Sequence, residues 1–221
     1  MTILSSDQNL KVSELFFSIQ GESSFAGQPC VFIRLSGCNL RCSYCDSSYT
    51  YEEEGETTPL TEIIDYAEKY PGFPIEITGG EPLIQENVYP LMHALLAKKR
   101  LVLLETNGSI KLDRVPESVV RIMDIKCPDS GMAEQLDLTN LALLDIKDEV
   151  KFVISSRTDY EWAIDLIRQH ALDRLPIIHF SPAASRLSPA TLADWILTDR
   201  PPVRMQLQLH KILWPTVNRG K

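Results

Sequence analysis

The sequence predicts an α/β fold built on a parallel sheet, and three observations carry that prediction. Short apolar runs recur at intervals of roughly 25–30 residues, with helical periodicity between them. Several of those runs are continuously apolar, as strands buried on both faces must be. The intervening stretches open on residues that cap helices. Strand, helix, strand at this spacing is the pattern of βαβ units, whose ligands bind at the carboxyl ends of the strands.

The strand candidates, in order, are Val31–Leu35, Ile75–Thr78, Leu101–Glu105, Val119–Ile125, Val150–Ile154, Ile177–Phe180 and Val203–Leu209. Ahead of the second, Thr58-Pro59 sets an N-cap before a proline at the first helical position, and Ile63, Ala67 and Tyr70 mark one face. Lys98-Lys99-Arg100 ends the next helix, where cations complement the C-terminal dipole. Ser156 with Asp159 reads as a capping box before Trp162, Ala163, Leu166 and Ile167. Ser188-Pro189 repeats the first device before Leu192, Trp195 and Ile196. All these apolar stripes are read as core.

At 221 residues the chain is read as one domain, 1–221, with 44% hydrophobic and 24% charged residues. A formal charge of −8 excludes a broad nucleic-acid surface, which needs clustered Lys and Arg. Met1 to Lys11 is polar and lacks the apolar segment of a signal peptide. No apolar run approaches the ~20 residues that a membrane helix needs. The expected location is cytoplasmic, where thiols stay reduced.

Three of the five cysteines crowd into Cys38-Asn39-Leu40-Arg41-Cys42-Ser43-Tyr44-Cys45, just past the first strand. That spacing is poor for disulfides and good for metal. A cubane iron–sulfur cluster wants four thiolates, so three leave one iron open to a reactant. Zinc is the alternative, but it usually wants four ligands in two close pairs. Here Cys127 stands alone, His93, His170, His179 and His210 are scattered, and Cys30 is read as a buried thiol.

Other polar residues stand where strands end. Ile75–Thr78 runs into Gly79-Gly80-Glu81-Pro82. Paired glycines let backbone approach a ligand, and Glu81 offers an acceptor for an ammonium group; the plain alternative is a tight turn with a solvated acid. Glu105-Thr106-Asn107-Gly108 contains a turn dipeptide. In Asp124-Ile125-Lys126-Cys127-Pro128, Lys126 either holds a ligand oxygen or snorkels to the surface. Upstream, Ile19-Gln20-Gly21-Glu22 joins an amide, a flexible backbone and a carboxylate, groups able to read the edge of a pterin or purine. Arg34, inside an apolar strand, suits a substrate carboxylate or an ion pair with Glu22 or Glu14. Ser47, after Asp46, is a candidate oxygen ligand for Mg²⁺.

The cysteine triplet, with Tyr44 before its third member and Gly79-Gly80-Glu81 downstream, resembles the cluster loop and the glycine–glycine–glutamate element of the radical S-adenosylmethionine (SAM) superfamily. The resemblance implies the radical SAM fold, a partial, open TIM-type barrel of parallel strands with outer helices. It implies a [4Fe–4S] cluster on Cys38, Cys42 and Cys45, with SAM chelating the fourth iron through its amino and carboxylate groups. An electron from the cluster would then release a 5′-deoxyadenosyl radical that abstracts hydrogen. Tyr44, Gly79, Gly80, Glu81, Thr106, Asp124, Ile125 and Lys126 would contact SAM.

A more specific resemblance covers most of the chain: Gln20–Glu22, Arg34, the cysteine loop, Thr78–Glu81, Glu105–Gly108 and the closing Gln206-Leu207-Gln208-Leu209-His210-Lys211. It is to the branch of the superfamily that makes deazapurines on the queuosine pathway of tRNA modification. It implies a lyase that contracts 6-carboxy-5,6,7,8-tetrahydropterin to 7-carboxy-7-deazaguanine with loss of ammonia. Ile19, Gln20, Gly21, Glu22, Arg34 and Thr78 would contact the pterin, Mg²⁺ would sit at Ser47, a flavodoxin would donate electrons, and the enzyme would be a homodimer. Many relatives carry Thr at the position of Ser47, and Ser-Pro-Lys at that of Asp124-Ile125-Lys126. The alternative, a radical SAM activase that installs a glycyl radical on a partner protein, shares the triplet but is not expected to carry Gln20-Gly21-Glu22 with Arg34.

Overall fold

A computed structural model describes residues 8–184, 186–217 and 219–221. Among the described residues nine strands form one unclosed sheet: β1 (Asn9–Ile19), β2 (Pro29–Leu35), β3 (Glu56–Pro59), β4 (Ile75–Gly79), β5 (Val102–Thr106), β6 (Val120–Ile125), β7 (Glu149–Ile154), β8 (Ile178–Pro182) and β9 (Arg204–Met205). Their spatial order is β3-β1-β2-β4-β5-β6-β7-β8-β9, parallel from β2 to β9 and antiparallel at β1 and β3. Helices α1 (Tyr49–Glu52), α2 (Leu60–Glu68), α3 (Val88–Ala97), α4 (Arg157–Gln169), α5 (Pro189–Asp199) and α6 (Leu209–Leu213) complete the element order. This is the partial, open TIM-type barrel, with outer helices, that the sequence implied.

Strand alternation sorts the side chains into two layers. Val31, Ile33 and Leu35 of β2, Ile75 and Ile77 of β4, and Phe152 and Ile154 of β7 join Ile63, Leu91 and Tyr160 of the helices in the main core. The opposite positions turn inward. At one end they are apolar: Phe16, Cys30 and Phe32 cluster there, as do Leu103, Val120 and Ile122. Toward the carboxyl ends of the strands they become Arg34, Glu76, Thr78, Glu105, Asp124 and Lys151, all lining one cavity. The switch from apolar to charged along one face places the site.

Several local expectations change. Thr58-Pro59 does not begin a helix: both residues end β3, and Pro59 precedes α2 in extended conformation with no side-chain cap. The strand expected over Val203–Leu209 shrinks to β9, because only Arg204 and Met205 pair with β8, and Leu209 opens α6. β1 and β3 were not anticipated at all. Ser156 does cap α4, its hydroxyl oxygen accepting from Asp159 N, whereas the Asp159 carboxylate reaches Ser155 N instead of closing the box on Ser156. Arg100 serves a helix other than the one it follows, donating to Ala67 O and Tyr70 O at the end of α2. Among the described residues no helix is long and apolar enough to cross a membrane. The expectation about a signal peptide falls mostly on residues 1–7, which lie outside the described residues.

Candidate active site

A cavity of about 820 Å³ opens at the carboxyl ends of the parallel strands. The cysteine loop forms one wall. Gly37, at φ 88°, turns the chain out of β2, and its carbonyl accepts from Glu81 N at 2.9 Å while its N–H donates to Thr50 O at 2.7 Å. Leu40, within the loop, is buried and lines the cavity. Cys38, Cys42 and Cys45 are all free thiols and all line the cavity. Burial pushes the Cys38 and Cys42 thiols up, and the nearby Cys45 adds to the effect. Holding Cys38 and Cys42 as thiolates therefore calls for nearby positive charge, which iron would supply.

Among the described residues no three His, Cys, Asp or Glu side chains converge as ligands of a single ion. The Ser47 hydroxyl lines the same cavity, 3.9 Å from Cys45 Sγ.

Beside the cysteines lie the groups expected to meet SAM, with two exceptions. Gly79 sits at φ 145°, and a Cβ there would run into the backbone of Leu35. A Cβ on Gly80 would overlap the Gly37 carbonyl oxygen and stand 2.7 Å from Cys38 Cβ. The glycine pair is thus required by the packing of the cysteine loop, besides keeping the cavity floor open. Tyr44 anchors its loop by donating from its hydroxyl to Val153 O at 3.2 Å. Asp124 and Lys126 project into the cavity and pair at 2.9 Å. Burial opposes the Lys126 charge, but Asp124 and Cys42 outweigh it and raise its pKa.

The first exception is Glu81, whose carboxylate turns away from the cavity and is fully buried. It accepts from Leu83 N at 3.0 Å, Thr106 Oγ1 at 2.9 Å and Asn107 N at 2.7 Å. Burial raises its pKa to about 7 against those bonds. Glu81 therefore joins the end of β4 to the end of β5, and Thr106 spends its hydroxyl on it. The second is Ile125, whose side chain packs in the helix-side core because alternation along β6 leaves only its neighbours facing inward.

The other end of the cavity holds the residues expected to meet a pterin. Gln20 is oriented by two contacts: its Oε1 accepts from Glu22 N at 3.2 Å, and its Nε2 donates to Glu76. Gly21 admits α6 closely, since a Cβ there would overlap His210 Nδ1. Arg34 makes the ion pair with Glu14 that the sequence allowed, at 3.1 Å to its Oε2, and also lines the cavity. Thr78 donates to Glu105 Oε2 at 3.0 Å. Lys151, 4% exposed, bonds Glu22 at 2.7 Å, Glu105 at 2.8 Å and Asp124 at 3.3 Å. Burial, then Glu105 and Glu22, push the Glu76 carboxyl well above the carboxylate range. Ile19 and Glu22 complete this end.

A radical SAM superfamily model matches residues 32–177. The 7-carboxy-7-deazaguanine synthase of Koribacter versatilis is 43% identical over 96% of this chain and 100% of its own length. That of Chlorobaculum tepidum is 44% identical over 98% and 100%. The chain belongs to the 7-carboxy-7-deazaguanine synthase family of the radical SAM superfamily. A crystal structure of QueE from Escherichia coli shares the fold, with a TM-score of 0.74 at 22% identity over 91% of this chain and 95% of that one. Radical SAM enzymes use a [4Fe–4S] cluster and SAM, and the thiols described above fit that requirement.

Sequence reasoning named Glu14 only as a possible partner of Arg34, and it missed two cavity-lining residues, Lys151 and Glu76. Each was signalled by a charge at an alternate position inside an otherwise apolar strand, as Arg34 was. Gln208, which donates to Glu22 at 3.0 Å, and Lys211, which pairs with Asp46 at 2.7 Å, bring the C-terminal segment to the same rim.

Proposed function

We propose that this chain converts 6-carboxy-5,6,7,8-tetrahydropterin to 7-carboxy-7-deazaguanine and ammonia in queuosine or related deazapurine biosynthesis. Family membership supports the reaction, and one observation carries it to these residues. The three thiols line the same cavity as Gln20, Arg34 and Thr78. Cys38, Cys42 and Cys45 would hold the cluster, which would supply reducing electrons for radical chemistry on SAM.

The chain's own residues then do the rest. Gly79, Gly80, Tyr44, Thr106, Asp124 and Lys126 form the SAM end; Lys126, paired to Asp124, has further N–H groups that suit a carboxylate or ribose oxygen. Arg34 offers a guanidinium to the substrate carboxylate while Glu14 fixes its orientation. Gln20 and Glu22 present an ordered donor and acceptor set to the pterin edge, and Glu76 fixes which way the Gln20 amide points. Ile19, Gly21 and Thr78 complete the contact. Ser47 supplies an oxygen to Mg²⁺, which would orient the substrate carboxylate and offset developing charge. Glu81 and Ile125 support the SAM end from behind it. The enzyme is read as cytoplasmic and homodimeric, and flavodoxin as its electron donor.

The test is anaerobic turnover. Reconstituted enzyme, SAM, Mg²⁺, reductant and the carboxylated tetrahydropterin should yield a deazaguanine and ammonia, with SAM unconsumed. SAM cleavage without a deazaguanine would refute the assignment. Activation of a glycyl-radical partner protein would support the activase instead.

A further inference from the structure

Lys151 faces the cavity from β7, and its ammonium meets carboxylates from three separate segments. Glu22 follows β1 and lies at 2.7 Å, Glu105 ends β5 at 2.8 Å, and Asp124 belongs to β6 at 3.3 Å. Asp124 and Lys151 are register partners, so the sheet itself holds that contact. The same Asp124 oxygen also takes Lys126, at 2.9 Å. A chain of charges thus runs from Glu22, at the pterin end, through Lys151 and Asp124 to Lys126, at the SAM end. Burial works against both lysines, but the surrounding carboxylates outweigh it and keep both charged.

An ammonium has three N–H donors, one for each of the three acids, while two ammoniums share one acid oxygen. In a low-dielectric cavity such partners do not rearrange independently. We propose that Lys151 is a positioning residue that couples occupancy of the two ends of the cavity. A ligand whose N–H groups engage Glu22 draws that carboxylate off Lys151. The ammonium closes on Asp124, and Lys126 is released toward an oxygen of SAM. Binding at the two ends is then cooperative, and reciprocally so. The pterin half of this inference rests on the proposed substrate; the SAM half rests on family membership.

The test uses anaerobically reconstituted enzyme of matched iron content, without reductant, so that SAM binds and is not cleaved. The SAM dissociation constant is read by equilibrium dialysis. Glu22→Gln stands in for a Glu22 already drawn off, and with no pterin present it should tighten SAM binding about five-fold or more. In a Lys151→Met background the same change should have no effect, whereas Lys151→Arg should keep the response in direction. Unaltered SAM affinity in Glu22→Gln overturns the inference, however Lys151→Met folds, because that variant leaves the lysine in place. A Glu22→Gln effect that survives Lys151→Met overturns it as well. Carboxylated tetrahydropterin should tighten SAM binding to the unmutated enzyme. If it does not bind at all, the substrate reading fails, and the Glu22 variant alone decides on Lys151.

Discussion

Glu81→Gln separates a structural role for that carboxylate from a SAM-binding one. Each Glu81 oxygen accepts one backbone N–H, Leu83 at 3.0 Å and Asn107 at 2.7 Å. Glutamine keeps only one acceptor oxygen, so one of those N–H groups faces an NH₂ and is left unmade. An orphaned buried donor costs about 1–3 kcal/mol. For a chain of this size a loss at the upper end, ~3 kcal/mol, lowers Tm by about 6–12 °C. The pH dependence has a definite sign. Glu81 titrates near 4.5 when unfolded and about 7 when folded, so between those values the native state holds a proton that the unfolded chain has released. The associated stability is fully present below pH 4.5 and fades by about 3 kcal/mol as pH rises through 7. The gap between parent and variant should therefore be widest near pH 5 and narrow toward pH 8. Thermal unfolding of the anaerobic holoenzyme followed by circular dichroism at both pH values measures it. An unchanged Tm at pH 5, accompanied by weakened SAM binding, would refute the reasoning.

Three further outcomes follow from the same geometry. Arg34→Ala should retain cluster and SAM binding while turnover falls about 100-fold or more, since truncating a buried charge partner costs ~2–5 kcal/mol; unchanged turnover would remove Arg34 from the substrate. Gly80→Ala should load less iron on anaerobic reconstitution, because its Cβ would occupy space held by Gly37 O and Cys38 Cβ, and overpacking of this kind costs about 1–3 kcal/mol. Normal iron content would show that the loop yields. Turnover should fall in excess chelator and return with Mg²⁺; full rate in chelator with an intact cluster would count against Ser47 as a ligand.

The parallel strands were legible because burial on both faces leaves continuous apolar runs. β1 was not, because Lys11 and Glu14 interrupt its run and its pairing is antiparallel. Val203–Leu209 misled for the opposite reason: its apolar residues alternate as a strand's would, but pairing stops at Met205. The cysteine loop, the glycine pair and Arg34 could be read because each is defined within one short segment. Lys151 could not, since its meaning depends on register: Asp124 lies across from it on β6, and only the assembled sheet shows that. Glu81 shows the same limit from the other side. Its position in the motif is local, but its partners Thr106 and Asn107 come from β5 and the loop beyond it, and they turn it away from the cavity.

The central claim is that three protein thiolates hold a cluster whose remaining iron is open to SAM. Mössbauer spectra of anaerobically reconstituted protein, recorded before and after adding SAM, test it most directly. Near four iron and four sulfide per chain, with one iron changing its parameters when SAM arrives, is the predicted result. One zinc without sulfide, or a cluster whose spectrum SAM leaves untouched, would contradict it.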